Sequence, residues 1–283
     1  MTWQIYTLIS VLTLSISVIL QRILIHKDKV DPYAYAALFQ GIVGVLLTAF
    51  ALARGFSLPN FDGLILPAAV SIVCFGVGNI LYAKTLQRVE ASAFSVLFAT
   101  QAVWTMLLGI ILLGESLTSL QVVGTALIFI SVAALAKHIR KVFSDKGTVL
   151  GLLTGLLFGV AIYYWSYVGR HTDGLSWAAI SFVFTALTVV AIRPKAVYQV
   201  RPLLQPKVLS KLVLLGVFYG TGSATMLFAY KYGSFAVVSP LRQTSIIVTV
   251  LLALALLPNE RSGLRKKLFA AALCTLGVIL IVV

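Results

Sequence analysis

Residues 64–86 read LILPAAVSIVCFGVGNILYAKTL, with a single charge, Lys84, close to the end. A helix of that length rises about 35 Å, enough to cross the roughly 30 Å hydrocarbon core of a bilayer. Lipid offers backbone groups no hydrogen-bond partner, and the run is too long and too uniformly apolar for a barrel strand, so a helix is required. Working outward from it, runs of the same kind bounded by charge, proline or glycine occupy 4–25, 31–53, 64–86, 92–113, 118–136, 148–168, 174–192, 211–231, 235–257 and 264–283. The predicted fold class is an all-α membrane protein with ten transmembrane helices. Linkers are short, and the longest, between the seventh and eighth runs, carries Pro194, Pro202 and Pro206, which predicts irregular backbone there.

Composition agrees. Hydrophobic residues make up 60% of the chain and charged residues 11%, against about 45–50% and about 25% in soluble domains. The net charge of +14 would suit nucleic acid if the basic residues formed a stripe, but they sit singly or in small groups between apolar runs, so no nucleic-acid partner is expected. Cys74 and Cys274 lie inside such runs and read as small buried hydrophobes rather than a disulfide. His26, His138 and His171 have no second ligand at helical spacing, so no metal and no other cofactor is expected. The first run lacks a basic n-region and exceeds a usual signal-peptide core, and is read as a retained helix. With no nucleophile and base set and no Walker motif, the chain is not expected to be an enzyme or to use ATP itself.

The quoted stretch has a weak copy. Ala83-Lys84-Thr85-Leu86 followed by Leu113-Gly114-Glu115 matches Ala229-Tyr230-Lys231-Tyr232 followed by Pro258-Asn259-Glu260. Pro32-Tyr33-Ala34 likewise fits over Ser176-Trp177-Ala178, and Leu127 with Ser131 over Leu273 with Gly277. The halves are residues 1–143 and 144–283, five helices each, forming one integrated membrane domain. An odd number of spans makes the second half enter from the opposite side, so the predicted repeats are inverted, an arrangement used for alternating access. Of the 22 basic residues, all but Arg54, Arg170, Lys231 and the buried candidate Arg242 fall on one side. The positive-inside rule makes that side cytoplasmic, with both termini outside a cell membrane.

With these features the chain resembles the EamA-type ten-helix transporters of the drug/metabolite transporter superfamily. The resemblance rests on the duplicated five-helix unit, the Gly114-Glu115 pair ending segment four, its weaker copy Asn259-Glu260, and Pro240 inside segment nine after Ala229 and Ala236. It implies that helices one, three, four, six, eight and nine surround a central cavity with five and ten peripheral, and that both termini are cytoplasmic, the reverse of the charge count.

An ionisable side chain at a helix centre costs about 2.5–3.5 kcal/mol on insertion scales, so each marks a functional candidate. Arg242, two turns into segment nine, is the one singled out. Either it snorkels or binds carbonyls freed near Pro240, or its guanidinium holds a carboxylate or phosphate of a cargo. Ser239, Arg242, Gln243, Ile246 and Thr249 follow at helical steps, and the equivalent face of segment four is Phe94, Leu97, Phe98, Gln101 and Trp104. Segment one offers Ser10, Thr13, Ser17 and Gln21, segment three Ser71, Asn79 and Tyr82, and segment six Trp165 beside an aromatic belt. Such stripes serve either interhelical hydrogen bonds or a ligand. The candidate substrate site is Arg242, Gln243, Gln101, Trp104, Asn79, Tyr82, Ser239, Gln21 and Trp165. Gly151, Gly155 and Gly159, echoed by Gly216 and Gly220, predict close helix packing, and Glu115 and Glu260 read as caps.

The function these readings support is secondary transport of a small polar metabolite, an amino acid or another carboxylate, by alternating access, with a proton as a candidate coupling ion. A lipid-carrier flippase and a multidrug exporter of the same superfamily are the alternatives. The exporter is disfavoured because no carboxylate lies inside a span to trade a cation for a proton.

Overall fold

A computed structural model of the chain describes residues 3–27, 30–113, 118–135, 145–232, 238, 241–242, 244–257 and 263–283, and among these every regular element is helical. In chain order they are α1 (Trp3–Lys27), α2 (Pro32–Ala53), α3 (Ile65–Leu86), α4 (Ala91–Phe98), α5 (Gln101–Leu113), α6 (Ser119–Leu135), α7 (Lys146–His171), α8 (Gly174–Ile192), α9 (Ala196–Gln199), a 3₁₀ turn (Arg201–Leu204), α10 (Pro206–Tyr232), α11 (Ser245–Leu256) and α12 (Leu264–Val282). Seven helical spans in this set are long and apolar enough to cross a membrane, α4 and α5 together supplying one, while Ser119–Ala134 and Ser245–Leu256 are shorter apolar helices.

Aspartates start three of the helices. Asp31 accepts from the Tyr33 and Ala34 amides at 3.0 Å, Asp145 from Thr148 and Asp173 from Ser176 at 2.8 Å. Each satisfies amides that a first helical turn leaves unpaired and sits favourably at the positive end of the helix dipole. At α2 the aspartate is followed by Pro32, whose missing donor costs nothing at the first helical position. The Thr148 hydroxyl and amide hold the Asp145 carboxyl below the usual carboxylate range.

Two expectations need correction. Segment four is not one helix: the Thr100 hydroxyl takes the Leu97 carbonyl at 2.7 Å, and the Thr100, Ala102 and Val103 amides bond three residues back, so a tight turn at Ala99-Thr100 separates α4 from α5. The linker after segment seven is not irregular either. It forms α9 and the 3₁₀ turn, because Pro202 and Pro206 occupy initial helical positions that need no amide, and α10 begins at Pro206 rather than near 211.

The helices pack in pairs that survive exchange of the two halves. α3 lies along α7 as α10 lies along α1, α5 contacts α7 as α11 contacts α1, and α3 meets α8 as α10 meets α2. α2 with α8, and α6 with α12, pair directly across the halves. α6 and α12 cross where a Cβ on Gly124 would stand 2.5 Å from the Gly277 carbonyl and one on Gly277 would stand 2.6 Å from the Gly124 carbonyl. One apolar core joins α1, α2, α3, α4, α7, α8 and α10 through residues such as Leu24, Phe39, Leu86, Phe94, Phe158 and Leu215. A second joins α4, α5, α6, α11 and α12 through Val96, Val103, Ile128, Val250 and Val278. Val45, Leu66, Ile111, Leu187 and Leu251 are exposed while Ser10, Ser17, Thr154 and Ser181 are buried. Large apolar groups outside and small hydroxyls inside are the order expected when the surrounding solvent is lipid.

Candidate functional site

Where α1, α2, α3 and α10 meet, four polar side chains converge within the apolar bundle. The Tyr35 hydroxyl donates to Gln21 Oε1 at 3.0 Å, and the Gln21 amide also faces the Tyr82 hydroxyl. Tyr219, midway along α10, stacks edge-on against Phe39 at 5.1 Å, and Phe39 in turn stacks on Tyr35 at 5.7 Å. The Arg242 guanidinium is half-buried three residues ahead of α11, close enough to Tyr219 for its charge to act on the phenol. Among the described residues no hydrogen bond or ion pair engages Arg242. α11 is held to α1 beside it by the Ser15 hydroxyl, which donates to the Ser245 carbonyl at 3.2 Å. A phenol or amide sealed in an apolar bundle needs a partner, so this polar group forms a specific, positively biased patch.

A second feature lies where segment four breaks. The Gly151, Gly155 and Gly159 stripe of α7 packs onto it: a Cβ on Gly151 would stand 2.8 Å from Leu97 Cδ1, and one on Gly159 would stand 2.6 Å from Trp104 Cβ and 2.8 Å from the Gln101 carbonyl. The Thr105 hydroxyl donates to the Gly159 carbonyl at 3.1 Å across this contact. Gln101, the first residue of α5, has its Oε1 buried with no hydrogen-bond partner. The echo in α10 is only partial. Gly216 does pack, on Ile42 of α2, but a Cβ on Gly220 would meet nothing within 4 Å, and it is Gly222 that approaches α1, at Leu14 and Thr13.

Of the residues singled out from the sequence, Gln21 and Tyr82 join this patch and Arg242 borders it, while Gln101 and Trp104 stand at the segment-four break. Asn79 is engaged elsewhere: it accepts from Gln40 Nε2 at 2.7 Å and donates to the Phe75 carbonyl at 2.8 Å, tying α3 to α2. Trp165 donates from Nε1 to the Ser181 hydroxyl at 2.9 Å, tying α7 to α8. Ser239, Gln243, Pro240, Glu115 and Glu260 lie outside the described residues. Of the serine stripes, Ser10 ties α1 to α10 by donating to the Gly222 carbonyl at 2.8 Å, while Ser17 and Ser71 bond carbonyls of their own helices. Phe94 and Phe98 pack edge-on against Tyr82 at 4.5 and 5.6 Å.

Sequence reasoning missed three groups. Tyr35 and Tyr219 were hidden among aromatic residues that usually fill cores, although a phenol inside a span always needs a partner for its hydroxyl. Arg22 has the sequence position of a flanking charge, yet it is 9% exposed and donates to the Leu86 carbonyl at the end of α3. A cation there meets the negative end of that helix dipole. An ion pair between the buried Lys267 of α12 and the partly exposed Glu90, the residue before α4, stands close by in sequence to that end.

An all-helical bundle of long apolar spans with a polar patch inside has the architecture of a multi-pass membrane protein. The family comparison says which one. The sequence model of the EamA-like transporter family matches twice, at residues 1–136 and 145–283. The chain therefore belongs to the EamA-like transporter family and is a multi-pass integral membrane protein. No curated protein matches it in sequence. A crystal structure described only as that of a protein superposes with a TM-score of 0.59 at 19% identity, over 98% of this chain and 96% of that one, a likeness of fold.

Proposed function

We propose that this chain is a secondary transporter of a small polar metabolite, an amino acid or another carboxylate, working by alternating access through ten helices arranged as two inverted repeats, 1–143 and 144–283. One observation carries the cargo class: Arg242 has no carboxylate partner among the described residues, whose five acidic side chains all lie outside the apolar interiors. Asp31, Asp145 and Asp173 cap helices, Glu90 pairs with Lys267, and Asp62 bonds Asn60 in a loop. A guanidinium in that setting is stabilised when an anionic group of the cargo arrives, and its planar fork suits a carboxylate.

The exchange-related packing of the halves supports the repeat reading, since a bundle assembled from two equivalent units can pass between two equivalent arrangements. The turn at Ala99-Thr100 supports it too, because interrupted helices near the midplane are where such carriers bind substrate. The sites proposed are Arg242, Gln243 and Ser239 of segment nine, Gln101 and Trp104 at the break, and Gln21 and Tyr82, with Tyr35 and Tyr219 added. Asn79 and Trp165 would have to exchange their present partners for cargo. Counterflow in proteoliposomes tests the reading. Amino acids and other small carboxylates are expected to exchange, with a proton gradient altering net uptake but not counterflow; exchange confined to cations or to lipid would overturn it.

The reading puts the side rich in lysine and arginine in the cytoplasm of a cell-membrane protein, with both termini outside. A reporter fused after Val283 should be active outside and one inserted near Lys141 active inside. The opposite pair of signals reverses the orientation.

A further inference from the structure

The linker between α8 and α10 builds a basic cavity with the start of α10, and another face of the same α10 turns presents an apolar groove. The cavity has a volume of about 680 Å³ and is lined by Arg201, Lys207 and Lys211 together with Gln199, Gln205 and Asp31. The charge of the aspartate is offset by Arg193, its ion-pair partner at 3.5 Å, while its other oxygen caps α2 through the Tyr33 and Ala34 amides. The groove, about 560 Å³, runs along the first turns of α10 past Pro206, Leu209, Val213, Leu214 and Val217. Lys207 and Lys211 stand on the same first turns of α10, one helical step round from this wall, so the basic cavity and the apolar groove flank the same end of α10. The linker is anchored rather than loose. Ala196 and Leu203 are fully buried, while Val197, Tyr198 and Leu204 are exposed, Tyr198 to 81%.

We propose that this is a binding site for an anionic phospholipid. The phosphate lies among Arg201, Lys207 and Lys211, an acyl chain follows the Leu209-Val213-Val217 wall, and Tyr198, Val197 and Leu204 seat the linker in the headgroup layer. Position decides for a membrane lipid over a free phosphate. The cavity lies where two apolar spans, α8 ending at Ile192 and α10 beginning at Pro206, leave the bilayer. Basic residues at that depth attract anionic headgroups, and aromatic rings favour the same layer. A soluble anion would gain from the three cations but nothing from the groove. The proposal stands apart from the transport reading, since none of these residues belongs to the Arg242 region.

The test uses the full-length protein in a neutral detergent, with phosphatidylglycerol, phosphatidylcholine and glycerol phosphate as probes. Retained lipid is read by native mass spectrometry and the unfolding midpoint by thermal melting. Phosphatidylglycerol should be retained at least about tenfold better than phosphatidylcholine and should raise the midpoint, while glycerol phosphate does neither. Arg201→Gln combined with Lys207→Gln should remove about tenfold of that preference with an unchanged elution profile, as expected for two cations near the surface. If the double variant elutes poorly, Arg201→Gln alone carries the test, as its side chain is exposed on the 3₁₀ turn. Val213→Ser with Leu214→Ser should weaken both lipids together. Equal retention of the two lipids, a preference indifferent to the basic substitutions, or displacement of phosphatidylglycerol by equimolar glycerol phosphate would each overturn the proposal.

Discussion

Arg242→Ala is expected to reduce cargo affinity by about a hundredfold or more while leaving folded protein in the membrane. A desolvated carboxylate left without its guanidinium loses on the order of 3 kcal/mol, and each 1.4 kcal/mol is a factor of ten. The protein itself loses little, because Arg242 is half-buried and makes no hydrogen bond among the described residues. Arg242→Lys should recover only part of the affinity, since an ammonium keeps the charge and loses the two-point fit. Binding measured on detergent-purified variants of matched monodispersity decides the matter. If the residue only snorkels, lysine serves as well as arginine and alanine binds like the parent. Tyr219→Phe offers a gentler companion, removing a phenol on which that charge acts while keeping the ring packed on Phe39.

Gly159→Leu should have the largest effect on the fold itself. Even a Cβ at that position would stand 2.6 Å from Trp104 Cβ and 2.8 Å from the Gln101 carbonyl, and both belong to the start of α5, where backbone cannot swing aside as a flexible side chain can. Forced separation of packed helices costs about 1–3 kcal/mol for modest overpacking, and a leucine adds three further carbons to the clash. The thermal midpoint should fall markedly, and the Thr105 to Gly159 hydrogen bond across the contact should be lost. Gly220→Ala is the control: the Cβ it adds meets nothing within 4 Å, so its midpoint should stay close to the parent's. Similar losses in both variants would mean that the α7 stripe has no special packing role.

The α7 stripe and its echo illustrate how far the sequence could be read. Three glycines at intervals of four place one smooth face along a helix whatever the helix touches, so close packing by Gly151, Gly155 and Gly159 was legible. Which neighbour they touch was not, and in α10 the same spacing misled, because Gly222 rather than Gly220 faces α1. The polar stripes were ambiguous for a related reason. A serine inside a span can bond its own helix, a neighbour or a ligand, and only packing settled Ser10 on the Gly222 carbonyl and Asn79 on Gln40. The break in segment four was invisible because Ala99 and Thr100 carry neither glycine nor proline. It depends on one hydroxyl taking one carbonyl.

Sequence alone determined that the chain lives in lipid, that it is helical, and that it is built from a duplicated unit. Hydropathy and hydrogen-bond satisfaction act locally, residue by residue, and need no knowledge of neighbours. The spread of basic residues and the placing of Arg242 within an apolar run were also written in order along the chain. Only the tertiary structure decided which helices adjoin, that Gln21, Tyr35, Tyr82 and Tyr219 meet from four of them, that Arg22 is buried against the end of α3, and that the proline-rich linker folds with the start of α10 into a basic cavity. Those facts depend on contacts between residues far apart in sequence, which are set by how side chains of given volume interlock and carry no periodic signature.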